Sequence, residues 1–280
     1  MALSRAAGPK NGTRRPAREA AVAAQYLTPD DADRYAASYE GWRPAARYYR
    51  SRLHVIDEAL RAGPRGRLLD VGCGPGMLVR HLLDTRPGDF QITGCDLSPA
   101  MVDAAAVRAK ESGDAELTVA RVEDMPFPDG HFDVVVAMGV LEYSDADAGL
   151  REIARVVRPG GLVVVTMLNP LSPYRLVEWF VYWPLLRALG RVERLFGAPR
   201  HAADVSGIRA IRPARLRRMM RRTGLTPEDA VHYDVTPLVP PLDRLVRRWS
   251  RTWRDHPEKT VSRGVRRRLG TAYLLKARRD

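Results

Sequence analysis

Short apolar runs alternate with helical patterns through the middle of this chain, and no other feature constrains the fold as much. Arg67–Val71, Gln91–Asp96, Glu116–Ala120, Phe132–Met138 and Leu162–Leu168 read as strands. Helical patterns separate most of them: Met77–Leu83, the segment that presents Met101, Val102, Ala105 and Ala109, and the one with Leu150, Ile153, Ala154 and Val157. Ser98 suits a helix cap and Pro99 a first helical position. The valine-rich run at Phe132–Met138 suits a strand buried on both faces. Strands that alternate with helices predict a doubly wound, mostly parallel α/β sheet.

Around this centre the signals change. Pro44 and the spacing of Tyr49, Leu53, Ile56 and Leu60 predict a helix ended by Gly63-Pro64. After Asn169 comes an apolar insertion, Leu171–Gly197, which Pro184 is expected to break. Pro213–Thr223 reads as a helix with Leu216, Met219 and Met220 inward, Ala230–Thr236 as a strand, Leu242–Arg254 as a helix and Thr271–Ala277 as the last strand.

Two cysteines, Cys73 and Cys95, cannot form a disulfide framework and suit a reducing, cytoplasmic setting. No apolar stretch is long enough to span a membrane, and no secretory signal is evident. Residues 1–190 hold 23 basic and 24 acidic side chains, whereas 191–280 hold 23 and 9. The excess positive charge points to nucleic acid or an anionic membrane, or is a solvated basic face.

The chemistry concentrates at "LLDVGCGPGMLVRHL", Leu68–Leu82. An acid, Asp70, closes the strand, and Gly72-Cys73-Gly74-Pro75-Gly76 follows at the strand's carboxyl end, where α/β sheets bind ligands. Glycines there let a ligand approach the backbone. Asp96 ends the second strand 20 residues beyond Gly76, where a carboxylate accepts hydrogen bonds from a ribose diol. The pair predicts an adenosine-containing ligand. A dinucleotide site, as in an NAD(P)-dependent oxidoreductase, expects Gly-x-Gly-x-x-Gly; here the spacing is Gly-x-Gly-x-Gly, and no Tyr-x-x-x-Lys pair is present.

With "RVEDMPFPDGHFDVVVAMGVLEY" (Arg121–Tyr143) and "REIARVVRPGGLVVVTML" (Arg151–Leu168), the sequence resembles the class I S-adenosylmethionine-dependent methyltransferases, in particular the ubiquinone/menaquinone-biosynthesis branch. The resemblance implies a Rossmann-like seven-stranded sheet with an antiparallel last strand and a helical lid. Residues 1–24, rich in Ala, Arg, Gly and Pro without periodicity, read as a disordered tail, and 25–280 as one domain with a helical cap (25–64), a cofactor core (65–169), a lid (170–212) and a C-terminal part carrying a basic amphipathic helix (213–280). The resemblance also implies roles. Asp70, Gly72, Cys73, Gly74 and Gly76 would surround the methionine part of S-adenosyl-L-methionine. Asp96 would hold the ribose, with Leu97 against the adenine. The Glu123-Asp124-Met125 segment would meet the base edge, through the Asp124 carboxylate and the Met125 N–H. Met138 and Gly139 would lie near the sulfonium. Tyr35 and Tyr39 are either a cover over the site or core residues. No metal is expected: the histidines lack ligand spacing, and Met138-Gly139 replaces the acid that magnesium-dependent relatives carry.

Methyl transfer needs alignment more than it needs a base, unless the acceptor carries a proton of high pKa. Base candidates are Glu142 and Tyr143 after the fourth strand, and His232 or Tyr233 near the sixth; Glu142 is equally readable as a helix-entry acid. The aromatic run Trp179–Leu186 favours a small hydrophobic or lipid-like acceptor. A nucleic-acid methyltransferase is the alternative, but the Asn/Asp-Pro-Pro-Tyr/Phe-type segment common in base-modifying enzymes is absent. Leu242, Leu245, Val246, Trp249 and Trp253 line one stripe of a helix whose remainder is arginine-rich. That pattern predicts a peripheral position on the inner face of an anionic membrane, or else a helix packed on the sheet. The oligomeric state is not predicted.

Overall fold

In the computed structural model the described residues are 28–41, 44–196, 209–236, 239, 242, 247–261 and 269–280. The predicted tail, 1–24, lies outside them. Parallel strands β1 (Gly66–Val71), β2 (Phe90–Asp96), β3 (Ala115–Val119), β4 (Phe132–Met138) and β5 (Val157–Leu168) are joined by β8 (Gly270–Arg279), antiparallel to β5, and β6 (Leu225–Pro227) and β7 (Val231–Val235) each pair antiparallel with β8. The order is β3-β2-β1-β4-β5-β8-β6, with β7 beside β6 along the same strand, β8.

β4 explains its own composition. Val134 and Val136 belong to one apolar cluster and Val135 and Ala137 to the other, so both faces of the strand are covered. On one face pack α1 (Pro29–Ala37), α2 (Pro44–Arg61), α3 (Met77–Thr85) and α4 (Pro99–Lys110); on the other pack α5 (Ala146–Val156) and α8 (Pro213–Arg222). Local chemistry sets the starts. Thr28 and Asp31 form a reciprocal capping box for α1, the Ser98 hydroxyl accepts the Met101 N–H at 3.3 Å, and the Asp145 carboxylate accepts the N–H groups of Asp147 and Ala148.

Two expectations need correction, and a third falls partly outside the described residues. The sheet has eight strands, not seven, because the predicted Ala230–Thr236 strand is one of two pieces separated by 228–230. Pro184 does not break the insertion: α6 (Pro173–Val177) runs through a π turn (Glu178–Tyr182) into α7 (Trp183–Phe196). The Trp183 N–H donates to the Glu178 carbonyl, and this wider turn just before Pro184 lets the helix absorb the missing donor. The predicted Leu242–Arg254 helix is described only at Leu242 and over α9 (Arg247–Asp255); Arg244, Leu245 and Val246 lie outside the described residues, as does the Trp249 side chain. α9 packs on α2, and Arg254 Nη1 donates to the carbonyls of Glu40 and Gly41 at 2.9 and 3.2 Å.

The Arg158-Pro159-Gly160-Gly161 segment is a bulge. The β4–β5 register jumps from Phe132↔Val157 to Val134↔Leu162, and Arg158 Nε closes the excursion on Asp133 Oδ1 at 2.6 Å. Gly161 is required because a Cβ there would stand 2.8 Å from the Arg158 carbonyl oxygen.

Candidate active site

At the carboxyl ends of β1, β2 and β4, beneath α2 and α6, lies a cavity of about 850 Å³. Its floor is the glycine loop. The N–H groups of Gly72 and Cys73 both donate to the Cys95 carbonyl, at 2.8 and 3.0 Å, which ties the loop to β2. Gly74 has φ +53° and nothing within 4 Å of where a Cβ would be, so its backbone faces open space.

Two carboxylates accompany this floor, Asp96 in the cavity lining and Asp70 outside it. Asp96 is fixed by the Gly74 N–H on Oδ2 and the Ser98 N–H on Oδ1, both at 2.9 Å. Burial raises its pKa, and the backbone donors partly offset that. Asp70 is fully buried, and neither carboxylate oxygen has a hydrogen-bond partner. Burial first, then the charge of Asp96, pushes its pKa up to about 7, against the pull of Arg52. A buried carboxylate without donors is costly and calls for a cationic or donor group to satisfy it.

The opposite wall comes from α2. Arg52 is 4% exposed; it donates to the Tyr39 hydroxyl at 2.9 Å and the Tyr35 hydroxyl at 3.3 Å, and lies 5.0 and 5.3 Å from the ring centroids of Tyr49 and Tyr48. Gly139, at φ +72°, admits it: a Cβ there would meet Arg52 Nη1 at 2.8 Å. Sequence reasoning missed Arg52 because arginine on an amphipathic helix reads as solvated surface. The one available signal was its position in the run Tyr48-Tyr49-Arg50-Ser51-Arg52.

Another part of the cavity is framed by Glu142, Tyr143, Tyr174 and Arg175. Glu142 is buried, and its Oε1 accepts the Leu168 N–H at 2.6 Å. Burial pushes its pKa up to about 7, while Leu168, Arg52 and Arg175 pull it down. Arg175 pairs with Glu178 at 2.5 Å.

The other sequence candidates divide. Gly72, Gly74, Asp96, Leu97, Glu123, Met138, Gly139, Glu142 and Tyr143 line the cavity together; Asp70, Cys73 and Gly76 lie behind its wall. Asp124 and Met125 do not reach it: Asp124 is exposed, and Met125 is buried with its N–H donated to Glu152 Oε2 at 3.1 Å, so that N–H cannot serve a base edge. Val122 and Glu123 form that part of the wall instead. His232 is also outside the lining; its ring lies 5.9 Å from that of Tyr273 on β8. Tyr35 lines the cavity and Tyr39 is buried beside it.

Residues 69–165 match the model of a methyltransferase domain family. The ubiquinone/menaquinone biosynthesis C-methyltransferase of Geotalea daltonii is 30% identical over 151 residues, covering 52% of this chain and 64% of that enzyme, so the chain spans a little under two thirds of its length. The demethylmenaquinone methyltransferase of Thermus thermophilus is 33% identical over 183 residues, covering 63% of this chain and 81% of that one. Among solved structures, an S-adenosylmethionine-dependent methyltransferase of Thermotoga maritima, described as a "possible histamine N-methyltransferase", superposes with a TM-score of 0.56 over 90% of this chain and 95% of that one; at 16% identity the likeness is one of fold.

Proposed function

The chain belongs to the class I S-adenosylmethionine-dependent methyltransferases of the ubiquinone/menaquinone-biosynthesis branch, and on that footing we propose that it methylates a small lipid-soluble acceptor held between Glu142 and the α6 lid. One observation carries this reading: a single cavity joins the glycine loop and Asp96 to a buried carboxylate, Glu142, beneath α6, whose Tyr174, Arg175 and Glu178 line it. The quinone-biosynthesis activities named for the relatives support a hydrophobic acceptor.

S-adenosylmethionine supplies an electrophilic methyl group on a cationic sulfur. Asp96 would accept from the ribose hydroxyls, and Leu97 would lie against the base. Asp70, buried without a partner outside the lining, would attract the positive end of the methionine portion through its charge, and Arg52 would meet its carboxylate. Tyr35, Tyr48 and Tyr49 cover the pocket and exclude water. The Leu168 N–H fixes Glu142 Oε1 and leaves Oε2 to take a proton from the acceptor as its nucleophilic atom develops charge. Alignment in a dry cavity supplies much of the remaining acceleration. The protein works at an anionic membrane surface from which such an acceptor is drawn; among the described residues no helix is long and apolar enough to cross a bilayer.

The test is transfer of a labelled methyl group from S-adenosylmethionine to a panel of quinols, phenolic lipids and nucleic acids. Label in a quinol or lipid product is expected. Label in nucleic acid alone overturns the acceptor reading.

A further inference from the structure

The lid helix has two different faces, and the π turn keeps them in line. Tyr174, Arg175 and Glu178 point into the cavity. On the opposite side Leu176, Phe180, Leu185 and Leu189 are exposed, Phe180 at 74% and Leu185 at 57%. Their spacings are four, five and four residues. An uninterrupted α-helix would rotate the second pair off the stripe. The five-residue step falls across Glu178–Tyr182, where the backbone bonds i to i−5, so the extra residue is absorbed and the stripe continues from α6 into α7. Among the described elements α7 makes substantial contact with the π turn alone. A large exposed apolar stripe on one helix marks a docking surface.

Charge selects the partner. The chain has 46 basic against 33 acidic residues, and exposed Arg187 sits on the α7 face away from the stripe. An apolar stripe on an arginine-bearing helix, in a cationic protein, fits the boundary between headgroups and acyl chains of an anionic bilayer. By contrast α9, which carries the richer arginine run, packs on α2, and its Trp253 is half-buried.

We infer that the outer face of α6, the π turn and α7 is the membrane-docking surface, with Phe180 and Leu185 entering the lipid while the inner face lines the acceptor cavity. This rests on the reading of a lipid-soluble acceptor given above. The acceptor then passes from bilayer to cavity around a single helix and crosses little water. α9 contributes long-range attraction only.

The experiment is flotation of the full chain with vesicles of equal parts phosphatidylcholine and phosphatidylglycerol, and with phosphatidylcholine alone. Wild type should float with the anionic vesicles and be released by salt. The double variant Phe180→Ser, Leu185→Ser should lose binding about tenfold or more, since two large apolar side chains no longer enter lipid. Its calorimetric affinity for S-adenosylmethionine should equal wild type, which separates this inference from the assignment of the cofactor site. Turnover on a short-chain, water-soluble quinol should also be kept; its loss in wild type would count against the acceptor reading instead. Wild type that stays unbound, or a lid variant that floats like wild type while Arg247→Glu, Arg251→Glu does not, overturns the inference. So does a dimer in solution that the lid variant alone dissociates, because the stripe would then be a subunit interface.

Discussion

At the scale of single residues, the site is governed by two buried carboxylates with pKa values near 7, and they behave differently. Glu142 is raised mainly by burial. Its base form therefore exists above about 7 and is lost below, so turnover with a protonated acceptor should rise with pH through that value. Glu142→Gln should lower turnover about 10²–10⁴-fold and flatten that rise, with cofactor affinity unchanged; a near-normal rate would mean that the acceptor needs no deprotonation. Asp70 is raised by burial and by Asp96. A folded-state pKa above the unfolded value costs stability that is absent below about pH 4 and complete above about 7. Asp70→Asn should therefore stabilise the cofactor-free protein at pH 8 by about 2–4 kcal/mol, with the gain fading towards pH 4, and should weaken cofactor binding. Denaturant titrations at the two pH values check both signs. Asp96 and Glu142 were legible because each follows a strand end at a fixed place relative to the glycine loop. Arg52 was not, since its role depends on Tyr35, Tyr39 and Gly139, brought beside it only by tertiary packing. Met125 misled because nothing local predicts that Glu152, on α5, takes its N–H.

At the scale of elements, the cap over the site is secured by one buried ion pair. Arg47 on α2 donates from Nε to Asp234 Oδ1 at 2.6 Å, with side chains 1% and 2% exposed, and Thr271 on β8 donates its hydroxyl to the same carboxylate. Asp234 adopts φ +55°, a left-handed backbone that non-glycine residues rarely take; the β7–β8 pairing steps past it, from Tyr233↔Ala272 to Val235↔Gly270. Asp234→Ala takes the carboxylate away from a buried arginine and should cost about 3–5 kcal/mol, measured by chemical denaturation; Asp234→Asn, which keeps one acceptor oxygen, should cost less. Equal stability in all three proteins would show that the pair does not hold the cap. The elements most legible in sequence were those with a period and a stop, such as β4 or the Ser98-capped α4. The least legible were β6, too short to carry a pattern, and the passage through Pro184, where a π turn overrides the usual meaning of proline.

At the scale of the whole molecule, alternation of strand and helix was sufficient to place the cavity, because a doubly wound sheet opens at the carboxyl ends of its strands. The uneven charge was equally legible, but its meaning was not. Whether an amphipathic helix shows its apolar stripe to the sheet or to solvent depends on packing, and here the exposed stripe belongs to α6–α7 while α9 packs on α2. The central claim is that the pocket between the glycine loop and Asp96 holds S-adenosylmethionine. Calorimetric titration of S-adenosylhomocysteine into wild type and Asp96→Ala tests it most directly. Wild type should bind it and ignore NAD, and Asp96→Ala, still folded, should bind about 1.5–3 kcal/mol more weakly, the range for hydrogen bonds to a charged group. Equal affinity in the two proteins, or heat from NAD and none from S-adenosylhomocysteine, would contradict it.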